Sequence, residues 1–311
     1  MNILEVKNVS KSFGSKQVLD GLDLKVPAGS IFGFVGGNGA GKTTTMKLIL
    51  GLEKMTAGDI FVGGEKVTFG NTKTNRITGY LSDVPAFYHY MSAEEYLTFC
   101  AEITGLKKEK RKQKIQETLA LVGLEGNKKR IKGFSRGMKQ RLGIAQALLN
   151  DPELLICDEP TSALNPEGRN AFLELLASLK GEMTILFSTH ILGDVERICD
   201  YVGILNEGKL KVNSSIEALK QTYAKPQMEV VFDEGVDTSS LIAELNALKE
   251  QSIITEMQQI NDCNQFIISH NKVYEEVAVP LLENLIAKNM MPTALRKMNP
   301  SLESIFLEVI Q

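Results

Sequence analysis

The chain opens on alternating text. ILEVKNV (Ile3–Val9) and VLDGLDLKV (Val18–Val26) set apolar residues such as Leu4 and Val6, and Leu22, Leu24 and Val26, two apart, the period of a strand with one buried face. Pro27 and Gly29 end the pattern, and SIFGFV (Ser30–Val35) replaces it with a mostly apolar run, as in a strand buried on both faces. GGNGAGKT (Gly36–Thr43) follows at once, and in the next residues Met46, Ile49 and Leu50 fall at helical spacing. A strand, a glycine turn and a helix therefore succeed one another.

DIFVGGEKVTF (Asp59–Phe69) returns to strand-like text, and Gly79–Leu81 reads as a short strand. From Ser92 to about Leu149 the period is helical. Ser92 with Glu95 has the form of a capping box, Tyr96, Phe99, Cys100 and Ile103 share one face, and Ile115, Leu119 and Val122 continue the repeat. LLICDEP (Leu154–Pro160) is a second buried strand, which runs into two adjacent carboxylates. GRNAFLELLASLK (Gly168–Lys180) predicts a helix, TILFSTH (Thr184–His190) a third apolar strand, DVERICD a further helix and YVGILNEGKL a further strand. Strands alternating with helices, the strands continuously apolar, predict an α/β fold with a mainly parallel sheet covered on both faces.

The text changes after about Gln221. QMEVVF, a helix through 241–248, SIITEMQQI, NQFIISH and a helix over 273–288 predict a small α+β unit of order βαββαβ. It holds no phosphate-loop, metal or nucleophile pattern, and both packing or dimerisation and ligand sensing stand as roles for it. In NPSLESIFLEVIQ, Asn299 is placed as N-cap and Pro300 at the first helical position, with Leu302, Ile305, Phe306 and Val309 on one face to dock on its own domain. The expected domains are 1–220 and 221–311, with a helical subdomain over about 86–150.

Lys plus Arg total 35 against 38 Asp plus Glu in 311 residues, a formal net charge of −3. That balance exerts no global pull toward nucleic acid, and no nucleic-acid partner is expected. The basic run Lys107–Lys114 reads as the solvated face of a helix, with lipid headgroups or an acidic partner loop as the alternative. Cys100, Cys157, Cys199 and Cys263 are scattered without a C-x-x-C pair, and there are three histidines, which argues against a zinc site or disulfide framework and for a reducing cytosol. No secretory leader is expected, and no stretch approaches 18 apolar residues, so the chain is not expected to span a membrane by itself.

Gly36-x4-Gly41-Lys42-Thr43 has the spacing of a P-loop between a buried strand and a helix start. Backbone N–H groups of Asn38, Gly39, Ala40 and Gly41, with the start of the helix through Thr44, can cradle phosphate oxygens; Lys42 neutralises the β and γ phosphates. Thr43 offers its hydroxyl to magnesium. A magnesium nucleotide needs a second carboxylate at a neighbouring strand tip, which Asp158 supplies, directly or through water. Glu159, one residue on, would address a water aligned with the γ-phosphate as a general base. A magnesium nucleotide is the expected ligand.

FSRGMKQRLGIAQALLNDPELLICDEPTSALN (Phe134–Asn165) resembles the signature motif, Walker B and D-loop of an ABC transporter ATP-binding subunit. With Gly36–Thr43 and FSTH the resemblance covers roughly residues 1–220, and the M-K-Q-R form and C-terminal extension look most like bacterial exporter ATPases for drugs, bacitracin or lantibiotics. The resemblance implies a P-loop NTPase fold with an N-terminal antiparallel β subdomain and a helical signature subdomain. It implies ATP hydrolysis coupled to transport, a second ATP-binding subunit, a separate transmembrane permease and a peripheral place on the cytoplasmic face of the cell membrane. A soluble or regulatory ABC ATPase is the alternative. By match to the family's motifs, Phe13 is the aromatic that stacks on adenine, Ser135, Arg136 and Gly137 touch the γ-phosphate held by the opposite subunit, and His190 contacts the γ-phosphate.

Three positions depart from the family's pattern. Gly37 stands where proline is usual, and Asn165 where the D-loop usually ends in Asp. Near the Q-loop, GYLSDVPAFYHY places Asp83 where glutamine is expected, with Ser82 the adjacent alternative; a carboxylate there can ligate magnesium. Just beyond, Phe87, Tyr88, Tyr90 and Met91 crowd His89 and stand either for ordinary core packing or for a groove that receives a coupling helix of the permease.

Overall fold

In the computed structural model the chain divides into two compact units, Met1–Ala218 together with residues from Phe306 onward, and Leu219–Ile305. The structure describes residues 1–70, 73–162, 164–233, 235, 237–260 and 264–310, so Cys263 lies outside the described residues.

In the first unit the strands β1 (Asn2–Phe13) and β2 (Lys16–Pro27) form the expected hairpin. β3 (Ile31–Val35) is buried at every residue and leads into α1 (Lys42–Ile49). β4 (Ala57–Val62), β5 (Glu65–Lys66) and β6 (Thr78–Leu81) follow, then the helices α2 (Ala93–Ile103), α3 (Lys108–Leu121) and α4 (Arg136–Leu148). β7 (Leu154–Asp158), α5 (Pro166–Ser178), β8 (Thr184–Thr189), α6 (Leu192–Ile198), β9 (Tyr201–Asn206), β10 (Lys209–Ser215) and α7 (Ile216–Thr222) complete the run. YVGILNEGKL is thus two antiparallel strands and not one, because Glu207 and Gly208 both take positive φ (48° and 76°), as a tight hairpin turn requires.

Two sheets result. An antiparallel sheet of order β2-β1-β4-β5 packs its apolar face, including Leu4, Val6 and Leu22, into one core with Phe32, Phe34 and Met46. The second sheet has order β10-β9-β3-β8-β7-β6, parallel from β9 to β6. Parallel register aligns the strand ends, with Val35 opposite Thr189, Asp158 opposite Ser188 and Leu81 opposite Cys157. The loops after β3, β6, β7 and β8 therefore emerge along one edge, where open α/β sheets bind ligands.

The helical stretch behaves as capping and burial dictate, with one difference. Ser92 and Glu95 form a complete capping box. The core face of α2 is Ala93, Tyr96, Leu97 and Ala101, whereas Ile103 is exposed and Phe99 and Cys100 are half-buried. The expected stripe is therefore turned partly outward. In α3 the basic run is solvated, with Arg111 paired to Glu102 and Lys114 to Asp151.

The second unit carries β11 (Gln227–Val231), α8 (Thr238–Glu250), β12 (Glu256–Gln259), β13 (Gln265–Ser269), α9 (Tyr274–Ala287) and β14 (Ala294–Lys297), in the βαββαβ order expected. Its antiparallel sheet, ordered β12-β13-β11-β14, buries Met228, Val230, Phe266 and Ile268 against Leu281 and Leu285. The last helix, α10 (Leu302–Ile310), begins later than the Asn299 cap implies. Ser301 caps it, its hydroxyl accepting from Ser304 N–H at 3.2 Å.

Candidate phosphate-binding site

Gly41 precedes α1 with φ 114°, a conformation open to glycine, and a Cβ there would lie 2.7 Å from Leu19. At Gly36 a Cβ would come within 2.5 Å of the Leu205 carbonyl, so the loop must pass β9 without a side chain. The first N–H groups of a helix have no intrahelical acceptor, and those of α1 open into a cavity of about 650 Å³. Gly37, Asn38, Gly39, Gly41, Lys42, Thr43 and Thr44 line it, together with Asp83, Glu159 and His190 from the three neighbouring strand ends.

Lys42 is buried. Its Nζ donates to the carbonyls of Gly36 (2.7 Å) and Gly37 (3.3 Å) and lies 3.1 Å from Glu159 Oε1. Glu159 Oε2 stands 2.8 Å from Nδ1 of His190. One carboxylate thus spans the lysine of the loop and the histidine after β8. Asp158, directly before it, is buried, and its Oδ1 accepts from the Ser188 hydroxyl at 2.7 Å.

Gly36, Ala40 and Asp158 sit behind the cavity wall and do not line it. Phe13 is not among the lining residues either. It lies at the end of β1, half-exposed, with the Lys11 ammonium 4.3 Å from its ring centroid. Ser135, Arg136 and Gly137 line a different cavity with Leu164 and Asn165. There Ser135 caps α4 by accepting from Met138 N–H, and Asn165 caps α5 by accepting from Gly168 N–H. Among the described residues, then, no signature residue faces the chain's own phosphate loop.

Asp83 is exposed toward the cavity, where its Oδ1 accepts from Ser162 at 3.2 Å, while its backbone carbonyl accepts from Gln140 Nε2 at 2.8 Å. Tyr80, one residue before the end of β6, has its hydroxyl pushed up to about 12, chiefly by burial and then by the Asp158 and Asp83 carboxylates. Ser162, in the D-loop stretch, also lines the cavity, as do Lys16, Gln17, Val18, Glu207 and Gly208, which carry no motif. Their one sequence signal is the Glu207–Gly208 turn, whose Gly208 carbonyl accepts from Asp20 N–H at 3.0 Å and so ties β2 to the site.

The aromatic crowd after β6 is not core. Tyr88 is 47% and Tyr90 68% exposed, and Tyr88 meets Phe99 edge-on at 5.4 Å. Phe87, Tyr88, Tyr96, Phe99 and Ile103 line an open groove of about 640 Å³, which is why that face of α2 turns outward.

Residues 19–162 match the ABC transporter family profile. Over 309 residues, 99% of both chains, the sequence is 37% identical to an uncharacterised ABC transporter ATP-binding protein, YxlF, of Bacillus subtilis (strain 168). The chain belongs to the ABC transporter ATP-binding family. It is also 44% identical to the bacitracin transport ATP-binding protein BcrA of Bacillus licheniformis over 226 residues, 72% of this chain and 73% of that one. A solved ATP-binding subunit of an ABC transporter superposes with a TM-score of 0.63 at 31% identity, covering 78% of this chain and 99% of that one. The ABC motifs therefore have their expected setting: a nucleotide-binding P-loop domain carrying a helical signature subdomain. Among the described residues no helix is long and apolar enough to cross a membrane.

Proposed function

We propose that this ABC protein is an ATP-hydrolysing motor. Two ATP-binding subunits, most simply two copies of this chain, would work on a separate permease at the cytoplasmic face of the cell membrane. The observation that carries the reading is Glu159, held between Lys42 and His190 at the mouth of the phosphate loop. When ATP enters, its terminal phosphate takes the place of the Glu159 carboxylate beside Lys42. Glu159 is then free to accept a proton from water as the new O–P bond forms and the bond to ADP breaks. His190 would hold the γ-phosphate.

The donor set fits magnesium. Thr43 and Asp83 bring hard oxygens to the cavity, and Asp158 Oδ2 takes no side-chain hydrogen bond among the described residues. Also among the described residues, no group of three or more His, Cys, Asp or Glu could hold a metal alone, in keeping with an ion shared with phosphates. Bound there, magnesium neutralises charge on the phosphate oxygens.

Ser135, Arg136 and Gly137 open away from the chain's own loop, so they are assigned to the nucleotide of the second subunit, in a head-to-tail pair. Phe13 is assigned to the adenine. The groove of Phe87, Tyr88 and Tyr96 is assigned to the permease, since adaptable aromatic surface suits an apolar helix. BcrA's name, that of a bacitracin transport protein, supports transport of an antibiotic, peptide or similar amphipathic cargo selected by the permease, and the exporter resemblance of the sequence supports the outward direction. The first unit would be the motor domain and the second an accessory one.

Tagged Glu159→Gln protein captured from detergent-solubilised membranes, with and without MgATP, tests the reading. A stoichiometric multi-spanning protein is expected. Self-association alone, in several mild detergents, would transfer the function to a soluble or regulatory ABC ATPase.

A further inference from the structure

We propose that Ser188 is the positioning residue for both acidic groups of the phosphate site, its single hydroxyl setting the orientation of Asp158 and the backbone course of Glu159. The inference rests on the reading of those two residues as magnesium ligand and general base. Ser188 lies in β8 directly opposite Asp158 and is fully buried. A hydroxyl in such a place costs stability unless it is used, and every other residue of β8 from Ile185 to Phe187 is apolar.

The hydroxyl is used twice. Its proton goes to Asp158 Oδ1 at 2.7 Å, which restrains the carboxylate's rotation and leaves the second oxygen without a side-chain hydrogen bond among the described residues. Its oxygen accepts from Glu159 N–H at 3.1 Å, and the Ser188 carbonyl accepts from the same N–H, also at 3.1 Å. That three-centre grip falls on a residue with φ 46°, a left-handed conformation that a non-glycine residue keeps only when its surroundings hold it. The turn at Glu159 directs its side chain to Lys42 and His190. The segment Ser188–His190 thus holds the carboxylate pair from both ends, at Asp158 and the Glu159 backbone through Ser188, and at the Glu159 side chain through His190. Groups that hydrogen-bond to a metal ligand from behind orient it and raise its usefulness as a donor.

The test compares Ser188→Ala, Ser188→Cys and Ser188→Thr. Manganese binding is followed by electron paramagnetic resonance in the presence of a non-hydrolysable ATP analogue, and steady-state phosphate release is measured alongside. Ser188→Ala and Ser188→Cys should bind the metal-free analogue as the parent does, yet lose about 10-fold to 100-fold in manganese affinity and in kcat. Ser188→Thr, which keeps the hydroxyl, should recover a large part of both. Parent-like manganese affinity and kcat in Ser188→Ala would overturn the proposal. So would recovery by Ser188→Cys, since volume and not the hydroxyl would then be what matters. If Ser188→Ala does not fold, the nearly isosteric Ser188→Cys carries the comparison. If the parent itself does not hydrolyse ATP, the motor reading fails, while the manganese titration still decides the role of Ser188.

Discussion

The Lys42 ammonium stands 3.1 Å from Glu159 Oε1, with both side chains mostly shielded from solvent. A nucleotide must replace that carboxylate with its own phosphate. Removing the charge at Glu159 therefore acts in two directions.

In Glu159→Gln, kcat should fall by about 10²-fold to 10⁴-fold, the contribution of a positioned general base. ATP affinity should hold or rise, because Lys42 no longer gives up an ion pair. Phosphate release and equilibrium binding of a fluorescent ATP analogue measure the two effects. Unchanged turnover would remove Glu159 from the role of base.

Asp83 adds a negative charge to the cavity that Lys42 and Thr43 share. The parent should therefore depend more steeply on magnesium than Asp83→Gln, which should hydrolyse faster at low magnesium and retain the amide contact to Ser162. Rates measured across magnesium concentrations decide it. Superimposable curves would sink the idea.

Behind the site, Arg169 reaches Asp194 Oδ1 through Nε (2.6 Å) and Nη2 (2.5 Å), and Thr161 donates to Oδ2 at 2.8 Å. Arg169→Met leaves a buried carboxylate with one neutral partner. The loss should be about 2–3 kcal/mol, less than for a fully buried pair because Arg169 is partly exposed. Urea denaturation reads it directly, and a loss within error of zero would mean that the pair is compensated.

Burial, then neighbouring carboxylates, push the Cys157 and Cys199 thiols well up. Cys157, fully buried, should resist maleimide in the folded protein at pH 8 and react after unfolding, as peptide mapping would show, while the half-buried Cys199 should be slowed and not blocked. The linked stability is fully present below the ordinary thiol pKa of about 8.5 and is lost as pH rises above it, because the unfolded chain ionises first. Rapid labelling of Cys157 in the native state would contradict its burial.

Tyr88 lines the groove with an exposed ring, the exposed Tyr90 ring lies 6.0 Å from it, and Tyr96 is buried and bonded to Gln146 at 2.7 Å. Replacing Tyr88 and Tyr90 with Ala should leave ATP binding intact and cut recovery of a membrane protein in the capture experiment by about 10-fold or more, as for aromatic anchors of an interface. Undiminished recovery would place the permease contact elsewhere.

Periodicity and spacing alone determined the strand–loop–helix at Gly36–Thr43, the buried strand ending in Asp158 and Glu159, the capping box at Ser92 and the βαββαβ order of the second unit. These depend on neighbours within a few residues, where backbone sterics and capping act. Only the tertiary structure decided that Glu159 bridges Lys42 and His190, that Ser188 holds both acids, and that Lys16–Val18 and Glu207–Gly208 close the cavity. Those partners lie tens to more than a hundred residues apart and meet because parallel strands align their ends, a register that no local pattern carries. The same holds for Ile103 and Tyr88. Their apolar character was legible, but which face of α2 is covered depends on what α2 packs against, and α4 covers the side that bears Tyr96.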